Sequence, residues 1–504
     1  MTRTSPNFLV IVLDAVRASD FPGGTSPVPG MECLERLMQE CWLFPSAVSP
    51  DTWTIPSHAS LITGMYPWEH GTHGFGSLRV DPSIPRVGQY LQALGYHTLL
   101  LSSNGFLNDE FGFTPGFDYA AWGGWWEHRF RIPSTRPSYE FAKGQLQSAG
   151  KTASRMDALR LATGSPLQSV THLLDRFPPV MDLTGLAITK VFSPQVARTM
   201  SSCPWVEDTF ERQISQLPSE VPFFGLINLL SAHEPYFPLS FEGESLFDWW
   251  RKARVRQDDV RTLDGKWKPS KSELRILREL YRSMVKTLDE RIGRFVEILR
   301  RFDRWEDTWL FITSDHGQQF GEAGRLYHLY GQSEGLLRIP LWVRPGGGEG
   351  RGRVGIGIAS LIDIAPTILR ASGSAHQIGH FGVDLSRLVT EDRGAPTLAL
   401  SDGVVWEHSR RWINPNQLRA LSKARVIAYR DRWKVICEDG GGTCDCRDLG
   451  TGGPEGEVVD GNAPYRQDVR ELERAAVSAL EQLATKPKRV NKSVEDRLQA
   501  WGYV

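Results

Sequence analysis

Net charge is what this sequence has least of. Its 58 lysines and arginines nearly cancel 59 aspartates and glutamates, leaving a formal charge of −1 at neutral pH. No basic excess is available to neutralise a phosphate backbone or an anionic surface, so the composition argues against nucleic-acid and membrane-surface partners. Long apolar runs are missing too. The stretch Phe8 to Leu13 stops at Asp14, far short of the roughly 20 residues that cross a bilayer. It is also too short for a signal-peptide core with a cleavage site. The expectation is a cytoplasmic chain with no membrane span. Cysteine is scarce: Cys33, Cys41, Cys203, Cys437, Cys444 and Cys446 are the six. Only the last two are close together, and no second ligand pair stands at zinc-site spacing. Reduced thiols are therefore expected.

What is present is ordinary for a globular protein. Of 504 residues, 40% are hydrophobic and 23% charged, enough to bury a large core unaided. Continuously apolar, β-branched segments read as doubly buried strands: Phe8–Leu13, the residues up to Leu101, Phe223–Leu230 and Trp309–Thr313, with a fifth at Leu341–Arg344. Between them, Ser270 to Arg301 carries helical periodicity through Leu277, Leu280, Met284, Leu288, Ile292, Phe295 and Leu299. Strands alternating with helices predict an α/β fold, a doubly wound, mostly parallel sheet over residues 1–395. Residues from about 120 to 205, rich in Trp, Arg and Pro, read as a helical insertion, either an active-site lid or a surface bundle. Residues 396–504 read as a small α+β subdomain with a helical tail; Ala424–Ile436 within it suggests a hairpin turning at Asp431.

Open parallel sheets present reactive groups at the carboxyl ends of their strands. Asp14, His233, Asp315 and His316 all follow predicted strands directly or closely. The sharpest motif is Thr54-Ile-Pro-Ser-His-Ala-Ser-Leu-Ile-Thr-Gly-Met-Tyr-Pro. A Thr just before Pro and a helical run puts a hydroxyl at a helix N-terminus, where free N–H groups favour an anion; taken alone, Thr54 equally fits a plain N-cap. Thr313-Ser-Asp-His-Gly places a carboxylate beside an imidazole, a pair suited to a divalent metal or to a solvated turn. Asp14 is the third candidate ligand, and Asp also commonly opens turns.

In combination these segments resemble the sulfatase branch of the alkaline-phosphatase superfamily. Leu13-Asp-Ala-Val-Arg, the Thr54 motif, Ala232-His-Glu-Pro-Tyr, Thr-Ser-Asp-His-Gly317 and His328 followed by Glu334-Gly-Leu-Leu-Arg-Ile-Pro occur in the family's order. The resemblance runs from about residue 7 to about 450, excluding the insertion. It implies an alkaline-phosphatase-like core and one divalent ion (zinc, manganese or calcium) held by Asp14, Thr54, Asp315 and His316. It also implies a small-molecule phosphate or sulfate ester as substrate. Thr54 takes the nucleophile position, with His233, His328 and His58 beside it; His70 and His73 are weaker candidates.

Three departures refine the expectation. Family sulfatases usually carry Cys or Ser at the Thr54 position, oxidised to an aldehyde that Thr cannot form. They usually have Arg where His58 stands, and often a second Asp where Ala15 stands. Thr with Pro-x-His is instead similar to nucleotide pyrophosphatase/phosphodiesterases, but the Asp-x-x-x-His pair of their second metal is missing before His233. The implied reaction is metal-dependent hydrolysis or group transfer on a phosphate ester through phospho-Thr54. A sulfate-ester hydrolase using unmodified Thr54, or an inactive binding member of the family, are the alternatives.

Overall fold

The chemistry expected at strand ends depends on a central strand with neighbours on both sides, and β1 (Asn7–Leu13) is that strand. In the computed structural model its seven residues are all buried. The structure describes residues 5–74, 76–123, 204–236, 267–328, 330–348, 352–391, 395–401, 423–439, 444–450, 455–459 and 466–485, with isolated positions between 238 and 262. Along the chain β1 is followed by α1 (Glu32–Met38), β2 (Trp42–Leu43), α2 (Thr54–Thr63), α3 (Pro67–His70), α4 (Val87–Ala93), β3 (His97–Ser102) and β4 (Tyr119–Trp122). Then come α5 (Trp205–Gln216), β5 (Phe223–Leu229), α6 (Lys271–Arg301), β6 (Thr308–Thr313), the short pair β7 (Gln319–Phe320) and β8 (Leu326–Tyr327), α7 (Glu334–Leu337), β9 (Leu341–Arg344) and α8 (Ile364–Ala371).

These strands build a seven-stranded sheet in the order β2-β9-β6-β1-β5-β3-β4. From β6 to β4 every pairing is parallel, as continuous apolar strands linked by helices require. β9 differs. It pairs antiparallel with β6, because the chain between them returns through β7, β8 and α7 and re-enters at the end where β6 left. Alternate residues of each strand face opposite sides. Phe8, Val10 and Val12 share one cluster with Ile55 and Ala59 of α2, Leu91 of α4 and Ile368 of α8. On the opposite side Phe223 packs on Phe210 of α5, which in turn meets Phe295 of α6. The 31 residues of α6 begin with a capping box: Ser270 Oγ accepts from Glu273 N (3.2 Å) while Ser270 N donates to Glu273 Oε2 (2.7 Å), which satisfies two otherwise orphaned donors.

A second, antiparallel sheet follows, from β10 (Thr397–Ser401), β11 (Arg425–Arg430), β12 (Trp433–Glu438), β13 (Asp445–Asp448) and β14 (Glu457–Val458), in sequence order. The turn between β11 and β12 is made by Asp431 at φ 50°. Amphipathic α9 (Arg466–Thr485) covers this sheet with Val469, Leu472, Ala476 and Ala479. Residues 123–205 and 237–255 cluster as a separate unit, and the helical content expected for the insertion lies outside the described residues. No described helix is long and apolar enough to cross a membrane. The expectation of reduced cysteines needs correcting: Cys437 and Cys444 form a disulfide, while Cys33, Cys41 and Cys446 are free. The antiparallel register of β12 and β13, Val435 opposite Cys446 and Ile436 opposite Asp445, sets Cys437 opposite Cys444 when continued by one residue.

The two sheets are joined by a buried ionic cluster. Glu334 at the start of α7 accepts from Lys434 Nζ (2.7 Å) and the Tyr429 hydroxyl (2.9 Å) of the antiparallel sheet, and from Arg338 Nε (2.6 Å). Burial pushes the Glu334 carboxyl up, but Lys434 and Arg338 outweigh it and hold it down at about 2. Removing one partner strands a buried charge. Lys434→Met is therefore expected to destabilise the protein by about 3 kcal/mol near neutral pH, read by urea unfolding. A carboxyl with a depressed native pKa stabilises above its unfolded value, and the effect is lost on acidification. The difference between variant and wild type should accordingly shrink as pH falls below 4.5 toward about 2.

Candidate active site

Asp14 directly follows β1, and Asp315 and His316 stand two and three residues past β6, so the neighbouring parallel strands deliver three polar side chains to the same edge. Local backbone geometry aims them. Ala15 adopts a left-handed φ of 64°, uncommon for a residue with a Cβ. In that conformation its N–H donates to Asp315 Oδ1 (3.2 Å) and its carbonyl accepts from the Tyr281 hydroxyl (3.2 Å). Gly317 has to be glycine, because a Cβ there would lie 2.1 Å from the Gly335 carbonyl oxygen. His316 N–H also donates to Asp315 Oδ1 (3.0 Å), and Ser49 Oγ donates to the Asp315 carbonyl. Asp14, Asp315 and His316 are all fully buried, which sets aside the reading of a solvated turn.

Each of the three nevertheless keeps one atom unpaired. Asp14 Oδ1, Asp315 Oδ2 and His316 Nε2 are buried without a hydrogen-bond partner among the described residues. His316 Nδ1 lies 2.9 Å from the Gly317 carbonyl, which only accepts, so the proton sits on Nδ1 and Nε2 presents a lone pair. That lone pair is 3.7 Å from Asp14 Oδ1 and 3.5 Å from Asp315 Oδ2. Three acceptors thus converge with no donor between them. Burial, and next the Asp14 carboxylate, push the Asp315 carboxyl up, while burial holds His316 below its ordinary value and neutral. Buried acceptors facing one another are costly, and a divalent cation removes that cost. Two carboxylates and an imidazole suit calcium, manganese or zinc, so the residues fit the expected ion.

Thr54 is the first residue of α2, not its cap. Trp53 is the N-cap, and α2 is buried along its whole length. The Thr54 hydroxyl sits 3.4 Å from Asn104 Nδ2, whose other contact is Asp14 Oδ2 at 2.9 Å. Asn228 also donates to Asp14 Oδ2 (3.2 Å) and to His58 Nε2 (3.3 Å). His58 Nδ1 donates to the Thr54 carbonyl (2.9 Å) and lies 3.6 Å from Asp315 Oδ2. It therefore braces the centre from beneath. Ser57 turns away, toward Ser49 Oγ (3.1 Å) and the Asp51 carbonyl.

His233 and His328 come together beside this centre, their Nε2 atoms 2.9 Å apart, and the His328 ring stacks on His316 with centroids 4.4 Å apart. His70 and His73 have loop roles: His70 bridges Ser60 Oγ (3.0 Å) and Thr72 N–H (3.0 Å), and His73 N–H donates to the Ser77 carbonyl (3.1 Å). The sequence reading missed Asn104, Asn228, Glu234 and Gln318. Asn104 had a usable signal, since it stands two residues past β3 on the same sheet edge as Asp14. Asn228 had none, being an internal strand position.

Comparison with known proteins identifies the family. The Sulfatase family profile matches residues 6–374. The chain belongs to the sulfatase family. It is 24% identical over 409 residues to the multifunctional alkaline phosphatase superfamily protein PehA of Trinickia caryophylli, covering 73% of this chain and 74% of that one. It is also 24% identical over 463 residues to the choline-sulfatase of Rhizobium meliloti, covering 83% and 80%. Among solved structures, the phosphonate monoester hydrolase of Agrobacterium radiobacter superposes with a TM-score of 0.63 at 18% identity over 95% of this chain and 96% of that one. At that identity the likeness establishes the shared alkaline-phosphatase-type fold, as expected from the ordered motifs.

For this sulfatase-family centre, metal-free protein is expected to gain about 2.7 kcal/mol of stability when a suitable divalent ion is supplied at about a hundredfold its Kd. Asp315→Asn should weaken that binding by at least about 10-fold and still unfold cooperatively. Calorimetric scans with Ca²⁺, Mn²⁺ and Zn²⁺ read both; melting temperatures that none of the three ions shifts would rule out the ion at this centre.

Proposed function

We propose that this protein cleaves a phosphate ester (a phosphodiester, phosphomonoester or phosphonate ester) through a covalent phospho-Thr54 intermediate. Membership of the sulfatase family supports the coarser activity, hydrolysis of sulfate or phosphonate esters. The observation that carries the finer reading is the Asn104 bridge. One amide nitrogen contacts both the Thr54 hydroxyl (3.4 Å) and Asp14 (2.9 Å), which ties the hydroxyl to the cluster of unpaired acceptors.

Thr54 Oγ attacks the phosphorus as the bond from phosphorus to the ester oxygen breaks; the hydroxyl proton passes to water, and the departing oxygen takes a proton from His233 or His328. Its position in the first turn of a ten-residue helix favours the charge that develops there. A divalent ion held by Asp14, Asp315, His316 and the Thr54 oxygen would supply positive charge against the alkoxide and the phosphoryl oxygens. Asn104 fixes the rotamer of the nucleophile and can donate to the anion. His233 and His328 face the same centre and are placed here as the groups acting on the leaving oxygen. Water then hydrolyses phospho-Thr54; an alcohol acceptor in its place would make the reaction a transfer. Phosphate is favoured over sulfate because Thr lacks the chemistry that yields the family's usual aldehyde. The intact Asp14, Thr54, Asp315 and His316 set speaks against a purely binding role.

Two outcomes test the reading. Thr54→Ala should lower turnover of a chromogenic phosphodiester or phosphonate by roughly 10⁴-fold, and acid-quenched wild type should carry a phosphoryl group on the Thr54 peptide by mass spectrometry. Full activity in Thr54→Ala ends the assignment, and sulfate esters turning over faster than every phosphorus ester tested would move it to sulfate. Asn104→Ala should cost on the order of 10²-fold in kcat/KM, the scale for removing one positioned donor.

A further inference from the structure

We infer that Arg325, with Arg425 beside it, binds a second anionic group (a carboxylate, phosphate or sulfate) carried by the leaving portion of the substrate. The inference rests on the ester-cleavage reading above and narrows its substrate class. Charge accounting singles this arginine out. Other cations of the region meet acids: Arg17 pairs with Glu322 (2.7 Å), Arg338 (2.6 Å) and Lys434 (2.7 Å) with Glu334, and Arg425 with Glu438. Arg325 is half-buried, and no carboxylate among the described residues offsets its charge. Its guanidinium makes one hydrogen bond there, a long one from Nη1 to the Tyr330 carbonyl (3.4 Å). Otherwise it lies over the Tyr330 ring, with Cζ 4.4 Å from the centroid. Arg425 Cζ stands 5.2 Å from the centroid of the same ring. Burial, and next the charge of Arg425, draw the Arg325 pKa down to about 10.

A desolvated guanidinium with most of its five donors idle is costly alone, and an anion removes that cost. The Tyr330 ring supports only the face of the group. Its N–H edge stays available, and that planar fork matches the oxygens of a carboxylate, phosphate or sulfate. Arg425 keeps one nitrogen on Glu438 and adds positive potential. Position decides whose anion it is. Arg325 stands three residues before His328, roughly 10 Å of chain at most, and Tyr330 stands two residues after it. Gln319 Nε2 donates to the Tyr327 (3.2 Å) and Tyr330 (2.9 Å) carbonyls, so one amide holds both flanks of His328. Ser401 is the cross-strand partner of Arg425, and its hydroxyl donates to the Gly331 carbonyl (2.7 Å), which brings the Arg425 strand up to the same turn. His328 is the residue placed on the leaving oxygen. A group held at Arg325 therefore belongs to the leaving portion and does not compete with the phosphoryl group for the Asp14 centre.

Two methylphosphonate esters of a nitrophenol, with and without a carboxylate on the ring, read the subsite in the full-length enzyme with its divalent ion. Wild type should prefer the carboxylated ester in kcat/KM, through a lower KM. Arg325→Gln should reduce that preference by at least about 10-fold, the scale of one hydrogen bond to a charged group. Arg425→Gln should reduce it less, and Arg325→Lys should keep part of it, since the charge remains and the fork is lost. A preference absent from wild type, or unmoved by both Gln variants, would overturn the inference. So would equal losses on the two esters, the mark of a mere prop for the Tyr330 turn. Inorganic phosphate that competes through Arg325 while the two esters are handled alike would give the site to a free anion and overturn it as well. In Thr54→Ala, calorimetric titration with the two esters should show the same Arg325-dependent difference in Kd. The subsite is thus judged apart from the nucleophile, which its own adduct decides.

Discussion

Two carboxylates and an imidazole, buried with their free lone pairs turned on one another, are the constraint around which this protein is arranged. Asp14 Oδ1, Asp315 Oδ2 and His316 Nε2 have no donor between them, an arrangement that is costly in a low-dielectric interior. The fold sustains it by spending the other atoms of the same side chains on firm partners. Asp14 Oδ2 is held by two amides, Asp315 Oδ1 by two backbone N–H groups, and His316 Nδ1 by a carbonyl. Half of each side chain is locked so that the other half stays available to a cation.

Much of the surrounding structure follows from that need. The left-handed Ala15, the close approach of Gly317 to Gly335, and the Tyr281 hydroxyl on the Ala15 carbonyl all serve to hold the ends of β1 and β6 in register. The burial of α2 from end to end fixes Thr54 at its first turn, and His58 ties that turn to the loop carrying Asp315. Even the antiparallel sheet contributes. Lys434 and Tyr429 clamp Glu334, which opens the helix just after the His328 segment, so the C-terminal residues anchor the chain that carries one of the two facing histidines.

The residues that changed meaning on folding are instructive. Thr54 fits an N-cap on paper but sits one position inside the helix, its hydroxyl directed to Asn104. His58, which stands where family sulfatases usually have Arg, has both ring nitrogens in structural bonds. Glu234 looks like part of a turn and proves to have one oxygen braced by Gln318 and the other 3.2 Å from His328 Nε2. Asn228 sits where a strand pattern gives no hint of chemistry, yet it couples Asp14 to His58.

Sequence alone determined the strand and helix order of the core, because doubly buried strands and a 3.6-residue periodicity are local signals that survive without knowledge of partners. It also determined that Asp14, Asp315 and His316 would meet, since the carboxyl ends of parallel strands share one edge. Only the tertiary structure decided the antiparallel course of β9, the Cys437–Cys444 pairing, and the roles of Asn104, Asn228, Glu234 and Gln318. Those outcomes rest on which side chains come face to face, at separations from 7 residues for the disulfide to 214 for Asn228 and Asp14, and on which atom of each is already bonded. Hydrogen-bond satisfaction belongs to the assembled interior, and no spacing along the chain encodes it.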